Sequence, residues 1–435
     1  MATGGLFEQV WIFGFVAQLA VLLVAARLLG KVFLRLGQPR VVGELAAGIL
    51  LGPSVLGVVL PSLQLLAFPG GETRVGQALG VFSWVAIVLL LAVTGMRMDT
   101  RALKRARRSV ATISLVDLSI SLTIGAAVGF LLSSSATLNG AHPDRYAFVA
   151  FLGVMLAISA VPVLASVLRD LDLLSSNLGT TMLSSAVATD AVGWVLLAAA
   201  SGLAAGSAGG GPYLSFGGTV LFVLLAYVFG RPAVESLTAL VPRTRVALAT
   251  AVCLAIPSGL AAVTQLVGTH AVLGAFVGGL LVGRSPHVGE RVKRRLEGAV
   301  VGFVAPIFFA SSGLKVDIAE LAKPSLAAVG LLVLVAAIAS KLIGGTLGAR
   351  LAGIPPWQAL AVGCGLNARG SMEVAAATLA LSLGVISGQL FSVVVVMAMV
   401  TSMMAPPLLR WTLRRSERAG EPGARVVLKD GRRTV

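Results

Sequence analysis

Apolar stretches of about 17 to 25 residues recur along the whole chain, parted by short polar or basic connections, and this spacing leaves few architectures open. A run of that length covers the hydrocarbon core of a bilayer as an α-helix, which satisfies every backbone N–H and C=O within the segment. Ten-residue segments of alternating polarity, the pattern of a membrane barrel, are lacking. The expected fold class is therefore an all-α polytopic membrane protein. Composition agrees, because with 57% hydrophobic and only 12% charged residues no water-soluble packing of 435 residues hides the apolar surface.

About thirteen transmembrane helices are predicted, near 8–29, 39–60, 75–96, 109–134, 145–168, 177–201, 212–230, 245–265, 267–283, 296–314, 325–348, 357–383 and 389–410. The first run has an acidic approach and no small-residue cleavage site, so it reads as a retained span. A net charge of +16 would suggest nucleic acid in a soluble chain. Here the basic residues flank apolar spans, clustering at Lys31 to Arg40, Arg97 to Arg108, Arg231 to Arg245, Arg284 to Arg295 and from Arg410 onward. Connections after even-numbered spans hold only Arg74, Arg145, Lys315 and Lys323. The asymmetry predicts odd-numbered connections and the C-terminus in the cytoplasm, the N-terminus outside, and no nucleic-acid partner. Cys253 and Cys364 fall inside predicted spans and read as small buried residues rather than a disulfide framework.

Thirteen helices divide as six, one and six, the second six starting from the opposite side, which is the inverted-repeat plan with a linking helix. The fifth helix of each half is interrupted at mid-depth, by Ile158 to Pro162 (ISAVP) and by Gly363 to Gly370 (GCGLNARG). Ser159, Pro162, Gly365 and Asn367 are the broken-helix candidates. Pro162 removes a backbone donor and clashes with the preceding turn, and the glycines lower the cost of unwinding. Two such crossed broken helices turn freed carbonyls and half-helix ends toward an ion.

Between Asp172 and Arg231 one charged side chain occurs, Asp190, in the middle of an apolar run. A carboxylate at that depth costs roughly 2.5–3.5 kcal/mol on insertion scales and marks an ion path by default. It binds either a proton or a dehydrated monovalent cation, so one group couples two ions. Thr189 either lends its hydroxyl oxygen to that cation or bonds its own preceding turn. Lys341 lies too deep in span 11 to snorkel and calls for a carboxylate, with Asp190 the first candidate and Asp117 and Glu373 the next. Arg369 and Glu373, four apart on one face, are expected to pair with each other, mainly for structure. Asp117, in span 4, either attracts cations or pairs locally. Gly274 with Gly278 and Gly279, and Gly344 with Gly348, allow close helix contact. No metalloprotease motif, phosphate-cradling loop or paired-aspartate protease motif occurs, so an enzyme is not expected, and no cofactor is expected either.

These residues resemble a known family. Gln38 to Ser54 (QPRVVGELAAGILLGPS), the Ser159 to Pro162 break, Asp190 to Trp194 (DAVGW), Gly268 to Phe276 (GTHAVLGAF), Pro306 to Leu314 (PIFFASSGL), Lys341 and Gly365 to Glu373 (GLNARGSME) together look like the monovalent cation:proton antiporter-2 family, in order from Gln38 to Pro407. The resemblance implies a homodimer in the inner (plasma) membrane that exchanges Na+ or K+ for H+ by an elevator-type mechanism, with Asp190 as the site of the transported cation. On that plan 1–108 and 243–322 form the scaffold and dimerisation helices, 109–204 and 323–411 the transport core, 205–242 the linking helix, and 412–435 a basic cytoplasmic tail. Members that move charge usually carry two adjacent acids where this chain has Thr189 and Asp190, so electroneutral exchange is expected. The nucleotide-binding regulatory domain of potassium-efflux members is not expected after the tail. The alternatives are a proton-driven exporter of an organic cation or ionophore complex, and a receptor or channel without coupled exchange. Against the last stands the doubled break, which a passive pore does not need.

Overall fold

The computed structural model describes residues 2–70, 72–97, 107–141, 144–174, 176–206, 221–222, 224–242, 244–266 and 271–421. The described chain is helical, with no β-strand beyond the single bridge Asn139–Ile386. Its main helices are α1 (Ala2–Arg35), α2 (Arg40–Leu51), α3 (Arg74–Arg97), α4 (Arg107–Leu132), α5 (Arg145–Ala157), α6 (Val161–Asp170), α7 (Asn177–Gly206) and α8 (Arg231–Ala239). They continue with α9 (Val246–Leu266), α10 (Ala271–Arg284), α11 (Glu290–Ala299), α12 (Ala305–Gly313), α13 (Pro324–Leu351), α14 (Pro356–Leu366), α15 (Ser371–Ser382) and α16 (Gly388–Arg418). Among the described residues ten segments are long and apolar enough to cross a membrane, and Ala271–Arg284 and Met372–Ser382 are shorter apolar helices. The protein is a multi-pass membrane protein.

Span boundaries shift where local chemistry overrides hydropathy. The second expected span, 39–60, stops at Leu51, because Gly52 and Pro53 follow and the residue before a proline is pushed out of the helical region; short helices Leu56–Val59 and Pro61–Ala67 complete the segment. Conversely α16 runs past the apolar stretch to Arg418, its last turn carrying Arg415 and Arg418, which suit the negative helix C-terminus. The tenth span begins at Glu290, α11 passing through a π-turn at Val300–Val304 into α12. The linking span at 212–230 lies largely outside the described residues, as do Gly268, Thr269 and His270 of the quoted motif and the tail from residue 422.

The described residues fall into two compact units. The first draws on Met1–Lys31, Gly43–Met98 and Ala198–Ile318. Small residues set its helix spacing: a Cβ on Gly279 would lie 2.0 Å from the Ala92 carbonyl oxygen, and one on Gly274 2.1 Å from that of Leu260, so α10 packs backbone to backbone on α3 and α9. Glycine 48 stands against Ala310 in the same way. At one end Arg97 bonds Glu290 at 3.0 Å and also Glu297, tying α3 to α11. Glu44 is buried in this unit.

The second unit comprises Val32–Val42, Asp99–Leu197 and Ala319–Val435. Its spine is α13 on α4, where Gly344 meets the Asp117 Cα and Gly348 the Ile113 Cα. The loop after α4 pairs with the loop before α16, Gly140 donating to the Val385 carbonyl and Ser387 to that of Leu138. Every candidate site residue of the sequence lies in this unit.

Candidate ion-binding site

Two half-helix pairs build the site. Helix α5 ends at Ala157 because Ile158 and Ala160 adopt extended backbone, and α6 starts at Val161. Pro162 sits in the first turn of α6, where its missing N–H is no loss. It therefore begins a new helix instead of kinking a continuous one, and the helix is interrupted where the sequence places the break. In the second pair, α14 ends at Leu366 and α15 begins at Ser371. The residue that turns the chain is Gly370, at φ +152°, a conformation other residues rarely adopt. Gly363 and Gly365 remain helical and serve close approach, toward Thr346 and toward Met182 and Leu164 respectively, so Gly365 is a packing residue and not part of the unwound segment. The two interruptions meet: Ala160 N–H donates to the Ala368 carbonyl at 2.9 Å, and Ser159 Oγ to that of Leu366 at 3.0 Å.

A helix that stops inside a membrane leaves its last carbonyls without intrahelical partners. Here buried cations supply them. Arg369 donates from Nη1 to the Met155 carbonyl at 2.9 Å and from Nη2 to that of Leu156 at 2.6 Å, and Lys341 Nζ donates to that of Ala157 at 2.5 Å. All three acceptors lie at the negative end of α5, which positive charge stabilises. At the opposite pole Glu373 Oε2 accepts the Gly370 N–H at 2.7 Å, an anion at the N-terminus of α15. Arg369 and Glu373 do not form the expected ion pair; each instead bonds the broken backbone, the cation its carbonyls and the anion an orphan N–H. Ser402, missed from sequence, donates from Oγ to the Arg369 carbonyl and fixes that turn.

The partner of Lys341 is Asp117, not Asp190: Nζ lies 2.8 Å from Oδ2 and both side chains are wholly buried. The reason is topological, since α4 runs along α13 and Gly344, less than one turn beyond Lys341, lets the Asp117 backbone approach. Spacing within one helix cannot reveal a pairing across 224 residues.

Asp190 stands near the middle of α7 and is 4% exposed. Its Oδ1 has no hydrogen-bond partner, and it lies within electrostatic reach of Glu373 and Lys341, with Trp194 one turn along the same face. Helix α7 crosses the first interruption at Gly193, where a Cβ would sit 2.6 Å from Ile158 Cγ1. Thr189 resolves toward its own preceding turn, donating to the Ser185 and Ala186 carbonyls at 3.2 and 3.0 Å; its oxygen keeps acceptor capacity. Asn367, wholly buried between the two residues that bond the other break, has neither amide atom partnered. The Ser185 and Ser121 hydroxyls and Glu373 Oε1 are likewise unpartnered. Buried polar atoms are normally satisfied, so these open oxygens and the one amide are candidates for holding a partly dehydrated ion.

The family described as sodium/hydrogen exchanger, transmembrane, matches residues 19–415. A Na(+)/H(+) antiporter, NhaS4, of Synechocystis sp. is 30% identical over 399 residues, covering 90% of this chain and 95% of the relative. Cation/H(+) antiporter 20 of Arabidopsis thaliana is also 30% identical, over 90% of this chain but 47% of the relative, and K(+)/H(+) antiporter 1 of Saccharomyces cerevisiae is 28% identical over 93% and 47%. The chain thus spans about half the length of the plant and yeast relatives. The solved structure of the sodium proton antiporter MjNhaP1 from Methanocaldococcus jannaschii superposes with a TM-score of 0.62 over 97% of this chain and all of that one, at 15% identity, a likeness of fold. With the family match running through both broken helices, the chain belongs to the sodium/hydrogen exchanger family of monovalent cation:proton antiporters.

Proposed function

We propose that the protein exchanges Na+ or K+ for H+ across the plasma membrane, one for one, through Asp190. The observation that carries this reading is the engagement of Lys341 by Asp117 at 2.8 Å, which leaves Asp190 as a buried carboxylate with an open oxygen and no lysine of its own. Released of its proton, Asp190 accepts one monovalent cation, and Asn367 Oδ1 and the Thr189 oxygen are the neighbouring ligands we assign. Lys341, held by Asp117 and by the Ala157 carbonyl, keeps its proton throughout the cycle. No net charge then moves. The names of the relatives, Na+/H+, K+/H+ and cation/H+ antiporters, support the substrate class.

In this reading 109–204 and 323–411 act as the transport core, which carries the ion by an elevator-type movement against scaffold and dimerisation helices 1–108 and 243–322, linked by 205–242. The active form is a homodimer with its N-terminus outside and the tail 412–435 in the cytoplasm, as the distribution of Lys and Arg favours. Proteoliposome exchange tests the proposal: with a pH gradient imposed, Na+, K+, Li+ and Rb+ are added in turn. At least one should dissipate the gradient, and Asp190→Asn should abolish that flux; a gradient that none of them touches overturns the reading.

A further inference from the structure

A cavity of about 450 Å³ lies within the first unit, between the end of the α8 segment, the start of α9 and the turn into α11. Its wall is apolar, formed by Val246, Ala249, Val252 and Val292 among others. Its polar contributors are His287, Arg291 and the hydroxyls of Thr238 and Thr244. Thr238 is already committed, to the Val234 carbonyl and to Ser285 Oγ at 2.7 Å. Arg291 is not. The two acids flanking Arg291 are drawn away, Glu290 to Arg97 and Lys293 and Glu297 to Arg97, so the exposed Arg291 faces the cavity without a carboxylate partner among the described residues. Helix α9, which supplies the apolar wall, leaves Leu248, Val263 and Leu266 exposed along its length, as a helix facing acyl chains does.

A basic side chain and an apolar wall lining one cavity, beside a helix that leaves apolar side chains exposed, together fit one class of ligand. We infer that this cavity holds an anionic phospholipid, its phosphate against Arg291 and the His287 ring N–H, its first acyl carbons against Val246, Val252 and Val292. None of its residues belongs to the unit that carries Asp190.

Native mass spectrometry of the detergent-purified full chain tests it, with dioleoyl-phosphatidylglycerol, dioleoyl-phosphatidylcholine and inorganic phosphate as probes. The expected result is one retained phosphatidylglycerol per chain and no comparable retention of phosphatidylcholine. Arg291→Gln should weaken that retention about fivefold, the loss expected for one basic residue at an anionic surface, and Ala249→Trp should fill the cavity and remove it. Both positions lie at the rim or wall of an existing void, so the fold tolerates them. Equal retention of phosphatidylcholine, or unchanged retention in both variants, overturns the assignment. Displacement of the lipid by millimolar inorganic phosphate would make this a phosphate site and overturn the lipid identity.

Discussion

Replacing Lys341 by methionine removes the cation from the one ion pair among the described residues whose two side chains are both wholly buried. The substitution keeps the volume but strands Asp117, whose Oδ1 already lacks a partner and whose Oδ2 then loses its own. Breaking such a pair costs about 3–5 kcal/mol, and the uncapped Ala157 carbonyl adds about 1–3 kcal/mol for an unmet buried acceptor. Neutralising Asp117 as well should recover most of the first term, because the remaining asparagine carries no buried charge. The double-mutant cycle of Lys341→Met with Asp117→Asn is therefore expected to show a coupling of more than ~2 kcal/mol, while the cycle with Asp190→Asn is close to additive. Thermal unfolding in detergent reads this directly, a thiol-reactive dye reporting exposure of the free, buried Cys253 and Cys364. Additivity with Asp117→Asn, or strong coupling to Asp190→Asn, would refute the assignment of the lysine and with it the argument for charge balance.

Three further outcomes are expected. Asp190→Asn should retain the wild-type unfolding temperature within a few degrees yet support no cation-driven proton flux in proteoliposomes; measurable flux would remove Asp190 from the centre of the mechanism. In vesicles clamped with valinomycin and K+, initial Na+/H+ exchange rates should not respond to an imposed potential, whereas Thr189→Asp should introduce voltage sensitivity; a sign-dependent response of the wild type sinks the one-for-one cycle. Gly370→Ala places a Cβ at φ +152°, 3.2 Å from Val41 and 3.3 Å from Val163, and should cost about 1–3 kcal/mol of stability, checked by the same dye melt. An unchanged melting curve would mean the second break is not held by that glycine.

What the amino-acid sequence determined by itself is whatever a bilayer enforces locally. A run of apolar residues long enough to cross hydrocarbon must be helical there, so an all-helical multi-pass fold followed from length, and a lone carboxylate in such a run marked Asp190 as a candidate. The two interruptions were legible too, because proline and clustered glycine are rare enough inside a span to mark a break. Which residue performs the break was not: Pro162 starts α6, Gly365 packs against Met182 and Leu164, and Gly370 does the turning, distinctions set by backbone torsions that composition does not encode. The choice of charge partners was beyond reach for a related reason. From sequence a buried lysine seeks a carboxylate and an arginine seeks the glutamate one turn away. Only the tertiary structure laid α13 along α4 and crossed the two broken helices, so that Lys341 met Asp117 and the open carbonyls of α5 claimed Arg369. In a medium without water those carbonyls must find a donor, and where they point is decided by packing between segments more than 200 residues apart.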